Sequence, residues 1–129
     1  MRTELTMLAW SATLCIALAV PYTIGLIVER GLPALAGNRE NFAPGQGWIG
    51  RAQRAHANLV ENLLPFAALV LTVVVANKGS STTALAAQLF FFARLAHAVL
   101  YIAGIAWLRT LAFAVGLVGM IMLLAALAS

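Results

Sequence analysis

The chain has 129 residues, 63% of them hydrophobic and only 9% charged, with a mean hydropathy of +0.95. Soluble domains hold about 45–50% apolar and about 25% charged residues, so this composition excludes a free cytosolic globule, and its poverty in charge excludes a disordered chain. Eight Lys and Arg against four Asp and Glu give a formal charge of +4, but the basic residues lie between or inside apolar stretches. That pattern fits orientation in a membrane and argues against a nucleic-acid partner.

A bilayer core needs about 20 apolar residues per helix, and after the polar region around positions 30–54 the remainder suffices for four such helices. The first apolar segment is predicted from Leu5 to Val28, with Pro21 and Gly25 as places to kink. It is too long for a signal-peptide core of about 7–15 residues, so it reads as a retained helix. Cys15 lies within it and, as the only cysteine, reads as a small buried hydrophobe. Gly31 to Gly47 is rich in Gly, Pro and Asn and shows no helical periodicity, which predicts a surface loop. The second segment runs from Trp48 to Ala76, polar in its first half. Asn77 to Ser81 is a turn, the third segment covers Thr82 to Leu108, and the fourth covers Thr110 to Ala128, joined at Arg109. The fold class expected is all-α, an integral-membrane up-down four-helix bundle forming a single domain over 1–129.

The second segment carries a polar stripe. Arg51, Arg54, Asn58, Glu61 and Pro65 step by three and four and so share one helix face, with Asn62 on its edge and His56 pointing away. A carboxylate at Glu61 inside lipid costs at least ~2.5 kcal/mol, so it must face a partner or a wet cavity. The third segment adds Arg94, His97 and Tyr101 at the same spacing, and Arg109 follows. An Arg94–Glu61 ion pair with Asn58 and His97 as interhelical glue would account for two or four of these groups. It would not account for the excess of arginine over carboxylate, which calls for an anionic ligand, since the guanidinium fork matches carboxylate and thiolate. Gln53 reads as a solvated interface residue, and Phe90-Phe91-Phe92 as lipid-facing packing. Trp10, Trp48 and Trp107 read as interfacial anchors. No metal is expected, because His56 and His97 stand on different helices without a completing ligand set.

The run from Arg54 through Ala55, His56, Asn58, Glu61 and Asn62 to Pro65 resembles the signature of the MAPEG family, the membrane-associated proteins of eicosanoid and glutathione metabolism. That signature reads Arg-Ala-(His or Gln)-x-Asn-x-x-Glu-(Asn or Tyr), followed by proline. Ala93, Arg94, His97 and Tyr101 resemble its second signature, Ala-Arg-x-x-(His or Tyr)-x-x-x-Tyr. The resemblance implies a homotrimer with glutathione, as co-substrate, held between subunits near the cytoplasmic face. It implies glutathione-binding roles for Arg54, Asn58, Glu61, Asn62, Arg94, His97 and Tyr101, with Arg30 reaching in from the adjacent subunit. Arg51 is a further partner for a glutathione carboxylate. Members that activate the thiol use an arginine shortly after the tyrosine of the third helix, and Arg109 is the only one here, so the catalytic pair expected is Arg109 and Tyr101. His97 and Asn62 resemble the microsomal glutathione transferases more than the leukotriene-forming enzyme.

The function expected is a membrane-embedded glutathione transferase acting on lipophilic electrophiles, with peroxidase activity open to the same thiolate. A non-catalytic member that binds lipid or glutathione is the alternative, and an exporter using Glu61 as a proton-coupled site is a third reading. Five basic residues (Arg30, Arg39, Arg51, Arg54 and Arg109) against Arg2 and Lys78 place the 30–50 loop in the cytoplasm. The compact loops fit a multi-pass protein of a bacterial inner membrane.

Overall fold

The computed structural model describes residues 1–129 and is all-helical. It comprises α1 (Thr3–Arg30), a short α2 (Leu32–Ala36), α3 (Gly47–Val75), α4 (Ser81–Ala103) and α5 (Ala106–Ala128). At 1.5 Å per residue the four long helices extend about 35–44 Å, enough to cross a hydrocarbon core of about 30 Å, and all four are apolar enough to do so. Only 28 of the 129 residues are buried, while Ile16, Leu64, Val75 and Trp107 are each more than 70% exposed. Such a surface is stable only where lipid is the solvent. The protein is an integral, multi-pass membrane protein.

Two expectations about the elements need correction. Gly31–Gly47 is not wholly loop, because Pro33 sits in the first turn of α2 and Leu35 buries against Leu26 and Ile49. The third long helix does not reach Leu108. It stops at Gly104, whose φ of 83° lies in the left-handed region that glycine adopts without steric cost. The Gly104 amide donates to the Tyr101 carbonyl and the Ile105 amide to the Leu100 carbonyl, which is the Schellman termination. Arg109 therefore belongs to the first turns of α5, not to the end of the preceding helix.

Pro21 and Pro65 lie inside continuous helices. α1 packs on α3 and α4, α3 also packs on α5, and α4 and α5 form the most extensive contact, whereas α1 and α5 are not neighbours. In lipid, packing and small residues drive association, because lipid tails are as apolar as the side chains they would replace. Phe66 of α3 and Phe90 of α4 stack with ring centroids 3.8 Å apart and are fully buried. Of the aromatic triplet only Phe92 faces outward; Phe90 and Phe91 are buried, the latter edge-on to Trp10 at 5.8 Å. At the end remote from the 30–50 loop, Thr83 Oγ1 donates to Glu4 Oε2 at 2.8 Å while accepting from the Ser80 amide. A carboxylate thus sits at the N-terminus of α4, where the helix dipole favours it.

The α4–α5 seam depends on Gly119. A Cβ there would stand 2.6 Å from the Ala86 carbonyl oxygen and 3.2 Å from the Phe90 nitrogen, both backbone atoms. Gly119→Leu is therefore expected to force the two helices apart, at the ~1–3 kcal/mol typical of overpacking. Thermal unfolding in detergent, followed by circular dichroism, checks this: an unchanged midpoint would mean that the helices do not approach so closely.

Candidate functional site

Helical spacing brings the polar residues of three helices together at the end that carries the 30–50 loop. Asn58 of α3, His97 and Tyr101 of α4, and Arg109, Thr110 and Phe113 of α5 line a cavity of about 300 Å³. The Arg109 guanidinium lies over the Tyr101 ring at 4.4 Å from its centroid. The imidazole of His97 packs edge-on to the same ring at 5.5 Å.

Behind this cavity is a polar brace. Arg94, 2% exposed, donates from Nη2 to Asn58 Oδ1, and Asn62 Nδ2 donates to the same oxygen at 3.3 Å and to the Asn58 carbonyl at 2.8 Å. Arg94 Nε and His97 Nδ1 are buried without a hydrogen-bond partner. Unsatisfied buried polar atoms are rare, because each costs about 1–3 kcal/mol of lost hydration. Arg94 does not pair with Glu61: the single ion pair of the chain joins Arg2 to Glu4. Glu61 is exposed on the surface of the lone chain, within a membrane-spanning helix.

The remaining arginines take separate stations. Arg54 is exposed and borders a second, larger cavity of about 520 Å³ beneath the loop, also lined by Tyr22, Arg39, Phe42 and Gln53. Its guanidinium stands 5.9 Å from the Tyr101 ring centroid, so it lies between the two cavities. Arg30 is engaged by its own loop, donating to the Ala43 and Pro44 carbonyls and stacking 4.5 Å over Phe42. Arg51 lines neither cavity. Its Nε donates to the Ile102 carbonyl at 2.8 Å.

Of the residues singled out in the sequence, Asn58, His97, Tyr101 and Arg109 are thus brought to one cavity, with Arg94 and Asn62 directly behind. Thr110 and Phe113 were not foreseen. Their signal is Gly104: once the helix is restarted after it, Arg109 and Phe113 fall one turn apart on the same face. Gln53 is half-buried, and it accepts from the Gly45 amide at 2.7 Å and ties the loop to α3. His56 does point away from the stripe, toward α1, where it meets Tyr22 Oη at 3.3 Å and Cys15 Sγ at 3.8 Å. Cys15 accordingly has a polar neighbour and is only half-buried.

The family model described as MAPEG family matches residues 5–129. No curated protein and no solved structure matches the chain.

Proposed function

The chain belongs to the MAPEG family, and on that premise we propose that it is a membrane-embedded transferase that activates the thiol of glutathione and conjugates it to lipophilic electrophiles. One observation carries the reading: Arg109, Tyr101, His97 and Asn58 converge on a single cavity, with the guanidinium laid on the tyrosine ring. A protein that only held a ligand would have no need of a full positive charge beside the sulfur.

Glutathione has two carboxylates, one ammonium group and one thiol. Arg54 suits a carboxylate, Glu61 suits the ammonium, and the unpartnered Arg94 Nε and His97 Nδ1 leave polar capacity in the wall between them. Asn62 holds that wall in place by donating to the Asn58 carbonyl and side-chain oxygen. Arg109 acts on the sulfur, because a nearby opposite charge favours the thiolate. Lowering a thiol pKa from about 8.5 to about 6.5 needs ~2.7 kcal/mol, which one arginine in a partly desolvated site supplies. The thiol proton leaves to solvent. The sulfur lone pair then forms the new S–C bond as the leaving group departs with its bonding pair, and Tyr101 offers one neutral hydrogen bond to the sulfur or the leaving group.

Glu61 and Arg54 are exposed in the single chain. A homotrimer whose sites lie between subunits would cover both, with Arg30 and its loop supplied by the neighbour and the electrophile arriving laterally from the bilayer. The excess of arginine at this end orients the 30–50 loop toward the cytoplasm. Calorimetric titration of the detergent-solubilised protein with glutathione tests the reading. Saturable binding to a trimer seen by native mass spectrometry is expected. A monomer that shows no heat of binding would refute it.

A further inference from the structure

Arg51 sits on the same helical stripe as Arg54 and Asn58, yet its Nε is committed elsewhere. The Schellman turn at Gly104 pairs the carbonyls of Leu100 and Tyr101 with turn amides, and leaves the Ile102 carbonyl without a backbone partner. Arg51 Nε donates to that oxygen at 2.8 Å. Its Nε and Cδ also stand only 3.5 and 3.7 Å from where a Cβ on Gly104 would be, so the side chain lies directly against the turn. A cation at a helix C-terminus is further favoured by the helix dipole. The turn it holds is two residues long and leads into α5, whose N-terminus has no side-chain cap. Nothing else from α3 is hydrogen-bonded to this turn.

The position of Arg109 relative to Tyr101 is set across that turn, since the guanidinium is on α5 and the ring is on the last turns of α4. We infer that Arg51 is a positioning residue: by pinning the Ile102 carbonyl it fixes the α4–α5 turn, and so holds the Arg109 guanidinium in register with Tyr101, rather than binding substrate itself. This rests on the thiolate-activation reading for its catalytic consequence, but its structural half stands without it.

The experiment compares Arg51→Gln and Arg51→Lys with the parent protein, solubilised as the intact oligomer. Without glutathione, amide hydrogen exchange is followed at residues 104 and 105, whose amides are hydrogen-bonded within the turn. Arg51→Gln is expected to speed exchange there, and Arg51→Lys, which keeps a cationic donor, to restore part of the protection; unchanged exchange overturns the inference whatever the function of the protein. With glutathione, Arg51→Gln is expected to leave the Kd within about twofold while raising the pKa of the bound thiol by about 0.5–1 unit. In an Arg109→Ala background the same change is expected to move that pKa no further. A direct carboxylate ligand would behave in the opposite way, losing about thirtyfold or more in affinity, and that result would return Arg51 to the binding set. Absence of glutathione binding in the parent protein refutes the transferase reading instead, and leaves the exchange result to decide the role of Arg51.

Discussion

Glu61→Gln is expected to lower glutathione affinity by a factor of about thirty to several thousand, corresponding to the 2–5 kcal/mol typical of truncating one partner of a buried, hydrogen-bonded charge pair. The carboxylate is one of only four in the chain and has no cationic partner within it. Glutamine keeps the size and the acceptor oxygen but removes the charge that holds an ammonium group. Calorimetry gives the affinity, and native mass spectrometry shows whether the variant remains assembled. A trimeric Glu61→Gln protein with unchanged affinity would place the ammonium of the ligand elsewhere. Loss of the trimer would instead assign Glu61 to the contact between subunits.

The second large effect is on chemistry. Arg109→Ala is expected to leave most glutathione binding intact and to raise the pKa of the bound thiol by about 1–2 units, since an opposite charge within about 4–6 Å shifts a pKa by 1–3. Thiolate absorbance in the ultraviolet, followed against pH, reads this directly. The sign is fixed: without the guanidinium the thiol stays protonated to higher pH, so at neutral pH the thiolate fraction and the transfer rate fall together. At a pH well above the raised pKa, the thiolate is restored and the part of the rate lost to protonation should return. Recovery of this kind separates thiol activation from a collapsed site, which no alkaline shift would repair. An unmoved titration would remove Arg109 from the mechanism and pass the role to Tyr101.

The structure changes what Arg109 is. A helix-end arginine marking a membrane boundary would point to lipid headgroups, whereas this one begins a new helix and lies on an aromatic ring of the preceding one. The cation therefore sits over the π face, which attracts it. That contact holds the side chain at the cavity, despite the cost of a positive charge near a helix N-terminus. A bound thiolate would offset that cost, because it brings negative charge to the same place.

Composition and hydropathy by themselves determined that this chain crosses a membrane four times, because burying polar backbone in lipid leaves helices of about 20 apolar residues as the available solution. The polar stripe of Arg54, Asn58, Glu61 and Asn62 was equally legible, since spacing of three and four is a statement about one helix and needs no knowledge of its neighbours. What the tertiary structure decided is how those helices face one another. In lipid an inward and an outward phenylalanine have the same hydropathy, so Phe90, buried against Phe66, was indistinguishable in sequence from the exposed Phe92. The end of α4 was missed for a related reason: Gly104 stands in an unbroken apolar run, and its left-handed φ is a property of the turn that Arg51 closes from another helix. Arg51 and Arg54 are one turn apart and alike in charge, yet one lies against a helix end and the other between two cavities. That difference arises from where α4 stops, a fact of packing that local spacing on α3 does not contain.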